Sequence, residues 1–136
     1  MSLSSSIRYD HDKIAKLFFH IEQLGRKKSS LRKPLFNKLK SEVLILHEAE
    51  ERVLYNSIEK GAKAGAIVQD LESENVTIKC VIKKMDAQKI NSAQWHKLFL
   101  RLKKLVIHHA KIEEKSCCRK LLKHFQPKIK SRWSRP

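Results

Sequence analysis

Apolar residues recur at spacings of three and four along most of the chain, which is the period of an α-helix with one buried face. The pattern predicts four helices, over residues 7–24, 34–60, 66–87 and 93–125. The chain has only three glycines and three prolines, all near predicted helix ends or in the tail, so the stretches between them are free to be helical.

Short predicted linkers join the helices, at residues 25–33, 61–65 and 88–92. Because short connections make neighbouring helices antiparallel, we expect an all-α, up-down-up-down four-helix bundle. Pro34 suits the first turn of the second helix, and Asn91 or Ser92 is a suitable cap for the fourth. The bundle is expected to occupy residues 1–126, followed by a basic, disordered tail over 127–136.

Each apolar stripe is interrupted near its middle by polar residues: His11, then His47 with Glu51, then Asn75, then His109 with Glu113. A buried carboxylate without a partner is costly, so two of them at core positions need a physical reason. On the second helix either Glu50 or Glu51 points inward, and the four-residue step from His47 favours Glu51.

In an antiparallel bundle these polar residues lie at one height. His11 and His47 are each 18 residues from the centre of the first linker, and Glu51 and Asn75 are each 12 from that of the second. From residue 91, near the centre of the third linker, Asn75 is 16 residues away and His109 is 18. At a rise of about 1.5 Å per residue, the mismatches are about 3 Å or less.

Three histidines and two glutamates in one core layer predict a metal site. The spacing His-x-x-x-Glu occurs at His47–Glu51 and at His109–Glu113, and it puts both side chains on one helix face. Imidazole with carboxylate suits Fe, Mn or Zn, and paired carboxylates can bridge two metals. The alternative is a metal-free core in which neutral histidines are hydrogen-bonded to the glutamates.

At this point the chain resembles the hemerythrin/HHE cation-binding family over residues 7 to about 125. The matching segments are DHDKI at 10–14, HEAEERVLY at 47–55, ENVTIK at 74–79 and HHAKIEE at 108–114. The resemblance implies a non-haem di-iron centre in which His11 and His47 hold one iron and His109 helps to hold the other. Glu51 and Glu113 would bridge the two.

The chain departs from the family at two positions on the third helix. Asn75 stands where the family has histidine, and Lys79 stands where hemerythrins have another. We therefore expect one or two irons per chain, with the second metal position weakened at Asn75.

The net charge of +16, from 30 basic and 14 acidic residues, favours a non-specific anionic partner. No apolar run of about 18 residues is present, so no membrane span is expected. The three cysteines, two of them adjacent, do not fit a disulfide framework and favour a reducing, cytoplasmic setting.

Three functions follow, of which the first is favoured. The protein binds or senses O2, another small diatomic molecule or an oxidant, or handles iron, as a monomer or weak homo-oligomer. Alternatively, it is a di-iron enzyme acting on O2 or peroxide, or a metal-poor basic bundle that binds nucleic acid or protein. The sequence contains no phosphate loop, nucleophile elbow or zinc-finger spacing, so no catalytic residue is predicted.

Overall fold

The structure, a computed structural model, describes residues 3–25, 29–54 and 62–117. These residues form four helices: α1 (Leu3–Leu24), α2 (Ser29–Ala49), α3 (Ala62–Asp86) and α4 (Ala93–Ile112). Two helices continue through a π-helical turn, α2 over Glu50–Leu54 and α4 over Glu113–Cys117. The predicted all-α bundle is confirmed, whereas the predicted tail at 127–136 lies outside the described residues.

Neighbouring helices run antiparallel, because contacts between them pair rising with falling residue numbers. The contacts are His11–Glu113 and Glu22–Lys103 between α1 and α4, and Lys40–Asp86 and Glu51–Asn75 between α2 and α3. Within the described ranges, no helix combines the length and apolar content that crossing a bilayer requires.

The buried face of α1 has the predicted spacing of three and four residues, since its buried positions include Ile7, His11, Ile14, Phe18 and Ile21. The helix stops at Gly25, whose φ of 70° lies in the left-handed region that a helix-ending glycine commonly adopts. The buried face of α3 has the same spacing, with Leu71, Asn75, Ile78, Ile82 and Met85 buried.

The buried face of α2 continues from His47 to Glu50 and not, as the four-residue step predicted, to Glu51. Its members are Arg32, Phe36, Leu39, Val43, Leu46, His47 and Glu50. Steps of three and four lead from Phe36 to Glu50, and Leu44 is only partly buried. The first turn of α2 also begins earlier than predicted, at Ser29, so Pro34 lies inside the helix.

Arg32 accounts for this early start. Its guanidinium lies 5.0 Å from the ring centre of Trp95 and 5.9 Å from that of Phe99, so the turn before Pro34 packs onto α4. Cation–π contact with tertiary burial stabilises a helical turn that local propensity alone leaves undecided.

An aromatic cluster fills the end of the core next to the α3–α4 loop. Trp95 stacks on Phe99 at 5.3 Å between ring centres and meets the edge of Phe36 at 5.2 Å, and Phe18 lies 5.5 Å from Phe99. Ser92 caps α4, as one of the two predicted caps, by accepting a hydrogen bond from the Trp95 amide at 3.1 Å.

The aromatic cluster generates a prediction about stability. Phe99 is fully buried, so Phe99→Ala should lower the free energy of unfolding by about 3–5 kcal/mol. Its neighbour Leu100 is 46% exposed, and Leu100→Ala should change the same quantity by about 0.5 kcal/mol or less. Urea unfolding in the presence of a chelator measures both, and equal losses would contradict this account of the core.

Candidate metal centre

The end of the bundle opposite the aromatic cluster contains a layer of buried polar side chains, here called the polar layer. Its members come from all four helices or their π-helical turns: His11, His47, Glu50, Asn75, His109, Glu113 and Glu114. On α4, Trp95 and His109 are 14 residues apart, which separates the two ends of the core by about 21 Å.

Glu113 lies at the centre of the polar layer and is fully buried. Its Oε1 is 3.1 Å from Nε2 of His11, and its Oε2 is 3.2 Å from Nε2 of His109. Each oxygen therefore faces a different histidine. Burial alone would raise the pKa of Glu113, but the hydrogen bonds from His109 and His11 outweigh it and hold that pKa well below the usual value.

Glu50 is also buried, but unlike Glu113 it accepts no hydrogen bond from a histidine. It is 3% exposed, and neither carboxylate oxygen has a hydrogen-bond partner among the described residues. Nε2 of His11 is 3.8 Å from Oε2, too far for a hydrogen bond. Burial and the charge of Glu113 raise the pKa of Glu50 well above its usual value. An ionised Glu50 therefore requires a cation beside it.

Two groups of metal-binding side chains share Glu50. One is His11, Glu50 and Glu113, and the other is His47, Glu50 and His109. In each group the donor atoms lie within 4.8 Å of one another. A carboxylate common to two donor groups is the arrangement that two-metal bundle sites use. Glu50, with two unpartnered oxygens, fits this role.

The three histidines differ in charge before any metal binds. Burial and the nearby ring of His109, 4.6 Å away between centres, lower the pKa of His47 to about 3, so its imidazole is neutral. Burial also disfavours charge on His11 and His109, but hydrogen bonds to Glu113 and to a second glutamate raise the pKa of each. A metal ion would displace the protons on these two rings.

Two further glutamates orient histidines from outside the layer's centre. Nδ1 of His11 donates to Oε2 of Glu114 at 2.7 Å, and Nδ1 of His109 donates to Oε1 of Glu74 at 3.0 Å. Each contact fixes the ring so that Nε2 points toward Glu113, as carboxylates commonly do for metal-binding histidines. Sequence reasoning missed both residues. Spacing within one helix shows which face a glutamate lies on, but not which residue of another helix it contacts.

The structure brings four of the six predicted site residues into the donor groups: His11, His47, His109 and Glu113. Glu50 takes the place that the four-residue spacing favoured for Glu51. The buried positions of α2 follow steps of three and four from Phe36 to Glu50, which places Glu50 on the inward face. A π-helical turn starts at Glu50. Such turns are frequent at functional sites because they re-aim side chains.

Glu51 and Asn75 instead contact each other. Nδ2 of Asn75 donates to Oε2 of the half-buried Glu51 at 2.9 Å. Asn75 is 1% exposed, and its Oδ1 has no hydrogen-bond partner in the described part of the chain. The resemblance implied that His11 and His47 share one metal, whereas this structure groups His47 with His109.

The fold and the polar layer together define an antiparallel four-helix bundle with a core site suited to a metal ion. The model of the hemerythrin HHE cation-binding domain matches residues 2–126, nearly the whole chain, so this protein belongs to that family. The resemblance noted from the sequence is thereby confirmed. Comparison with curated proteins and with solved structures finds no match.

In the metal-free protein, replacing Glu50 and replacing Glu113 should change the free energy of unfolding in opposite directions. Glu50→Leu removes a buried group without hydrogen-bond partners and should raise the free energy of unfolding by about 1–3 kcal/mol. Glu113→Leu leaves His11 and His109 without their shared partner and should lower it by about 3–5 kcal/mol. Urea unfolding in excess chelator tests this, and losses of equal size would show that Glu50 is well paired.

Proposed function

We propose that the protein is a non-haem iron protein that binds iron in the polar layer through His11, His47, Glu50, His109 and Glu113. The observation that carries the proposal is that two donor groups share the buried Glu50, whose oxygens accept no hydrogen bond from the described residues. Mixed imidazole and carboxylate donors suit iron, and membership of a cation-binding family supports a metal at this place.

Iron bound in this layer would supply an ion able to bind O2 or another small oxidant, and we propose binding or sensing of that molecule, or iron handling, as the function. The chain's own residues prepare the site for an ion. Glu113 joins two histidines, and Glu74 and Glu114 keep the Nε2 atoms of His109 and His11 directed at it. The low exposure of all five proposed ligands keeps bulk water from their donor atoms.

The two metal positions are proposed to differ in strength. Asn75 provides an amide oxygen where the family has an imidazole, and its amide nitrogen is already engaged by Glu51. An amide oxygen is a weaker ligand for iron than an imidazole nitrogen. We therefore expect one tightly bound iron and a second that is lost easily.

Iron loading tests the proposal directly. Anaerobic reconstitution with Fe(II), desalting and elemental analysis should give more than zero and fewer than two irons per chain. Glu50→Gln should lose most of this iron, whereas Glu48→Gln, at a position 61% exposed on the same helix, should retain it. Loaded wild type should also melt at a higher temperature than metal-free protein, because metal binds the folded state. Absence of retained iron would refute the site.

Restoring the histidine tests the proposed difference between the metal positions. Asn75→His should raise the iron content per chain and strengthen the near-ultraviolet absorption of the iron form in air. Val76→His is the matched control, because Val76 is 61% exposed on the adjacent position of α3. An equal iron content in both variants would mean that Asn75 does not limit the second metal position.

A further inference from the structure

Exposed basic residues form a line along the outer face of α4 and its π-helical turn, here called the α4 basic stripe. They are Lys97, Arg101, Lys104, His108, Lys111 and Lys115. Successive members are three or four residues apart, so they project from one side of the helix. From Lys97 to Lys111 the stripe extends about 21 Å at 1.5 Å per residue.

Acidic side chains do not neutralise this line. Between residues 93 and 117 the only acidic residues are Glu113 and Glu114, and both are buried in the polar layer. Among the described residues, the lysines and the arginine of the stripe form no ion pair, and His108 alone contacts a carboxylate, that of Glu74 at 2.9 Å. Three lysines outside the stripe are paired, in the contacts Lys13–Glu42, Lys40–Asp86 and Lys103–Glu22.

Like charges one helical turn apart repel each other, so the stripe works against the stability of α4. The bundle does not need it for packing, since the apolar face of α4 is buried on the opposite side. A straight row of unneutralised positive charge is instead suited to a rigid polyanion with regularly spaced charges. A nucleic-acid duplex has that property, and the net charge of +16 adds long-range attraction.

The other side chains that α4 itself exposes favour a duplex over a single strand or an anionic bilayer. Single-strand binding relies on exposed aromatic rings for base stacking. The aromatic residues of α4, Trp95 and Phe99, are both buried, and the exposed rings of Tyr9 and Phe19 lie on α1, outside the stripe. Binding to an anionic bilayer relies on an exposed apolar face, and the exposed large apolar residue of α4 is Leu100 alone. We propose that the α4 basic stripe binds the phosphate backbone of a nucleic-acid duplex without reading its bases.

Fluorescence anisotropy with the full-length protein tests this inference. The probes are two 25-base-pair DNA duplexes of unrelated sequence, titrated at several salt concentrations. Both should bind equally, and log K should fall with log salt with a slope of about −4, since each phosphate neutralised contributes about −0.9. The lysines and arginine of the stripe form no ion pair with a proposed iron ligand among the described residues, so duplex binding should be the same in chelator. Failure here would leave the metal proposal intact.

A matched pair of variants locates the surface. The triple variant Lys97→Gln, Arg101→Gln, Lys104→Gln should weaken binding at least about tenfold and reduce the salt slope by about 3. The control Lys16→Gln, Lys33→Gln, Lys38→Gln removes the same charge from exposed positions of α1 and α2 and should weaken it by less than about threefold. Circular dichroism melting verifies that both fold, and Lys104→Gln alone should already reduce the slope by about 1.

Several outcomes would overturn the inference. Equal weakening by the stripe and control variants would show that net charge, and not α4, determines binding. Tighter binding to a single strand, or to vesicles containing phosphatidylserine, would assign the stripe to another partner. Absence of duplex binding at about 50 mM salt, where the electrostatic term is strong, would show that the stripe is only a solvated face.

Discussion

The structure depends on how the bundle accommodates negative charge buried between its helix pairs. The helices pack mainly as two pairs, α1 with α2 and α3 with α4. The polar layer connects the pairs through Glu113 to His11, through His47 beside His109, and through Asn75 to Glu51. Glu113 is neutralised by the two histidines that it contacts. Glu50 has only a 3.8 Å contact with Nε2 of His11 and accepts no hydrogen bond from the described residues, so burial beside Glu113 favours a proton or a cation at that residue.

The two ends of the core therefore differ in what stabilises them. Around Trp95 and Phe99, close-packed rings and the Arg32 guanidinium stabilise the fold without any ligand. Around Glu50 and Glu113, apolar contact is replaced by ionisable groups whose protonation a metal would change. A bundle arranged in this way can fold before it binds a metal, and the metal then contributes stability at the polar end and fixes how the helix pairs meet.

Periodicity predicted much of this arrangement, and its failures have identifiable causes. The stripe of α1 and the matched heights of His11, His47 and His109 follow from a regular rise per residue, so they were predictable. The choice between Glu50 and Glu51 was not settled by the distance from His47, since steps of three and four both reach the same helix face. Tracing the buried positions from Phe36 onward would have favoured Glu50.

Contacts between helices are the part of the structure that periodicity in the sequence could not predict. Glu74 and Glu114 lie beside predicted site residues in the sequence, yet each reaches a histidine on another helix or turn. Which carboxylate meets which ring depends on the rotation of both helices, and a π-helical turn changes that rotation locally. The early start of α2 had the same origin, because Arg32 packs against α4 rather than against its own helix.

On α4 and its π-helical turn the acidic residues are buried and the residues of the α4 basic stripe are exposed, and the polar layer explains this separation. A metal site of imidazole and carboxylate needs acidic residues in the core, and α4 with its π-helical turn places both of its glutamates there. The charged residues of its outer face are then all basic, so the interior site and the basic surface are complementary parts of one charge distribution. The two meet at Glu74, whose Oε1 contacts the buried His109 and whose Oε2 contacts the exposed His108. Glu74 therefore lies at the boundary between the buried polar layer and the exposed basic face.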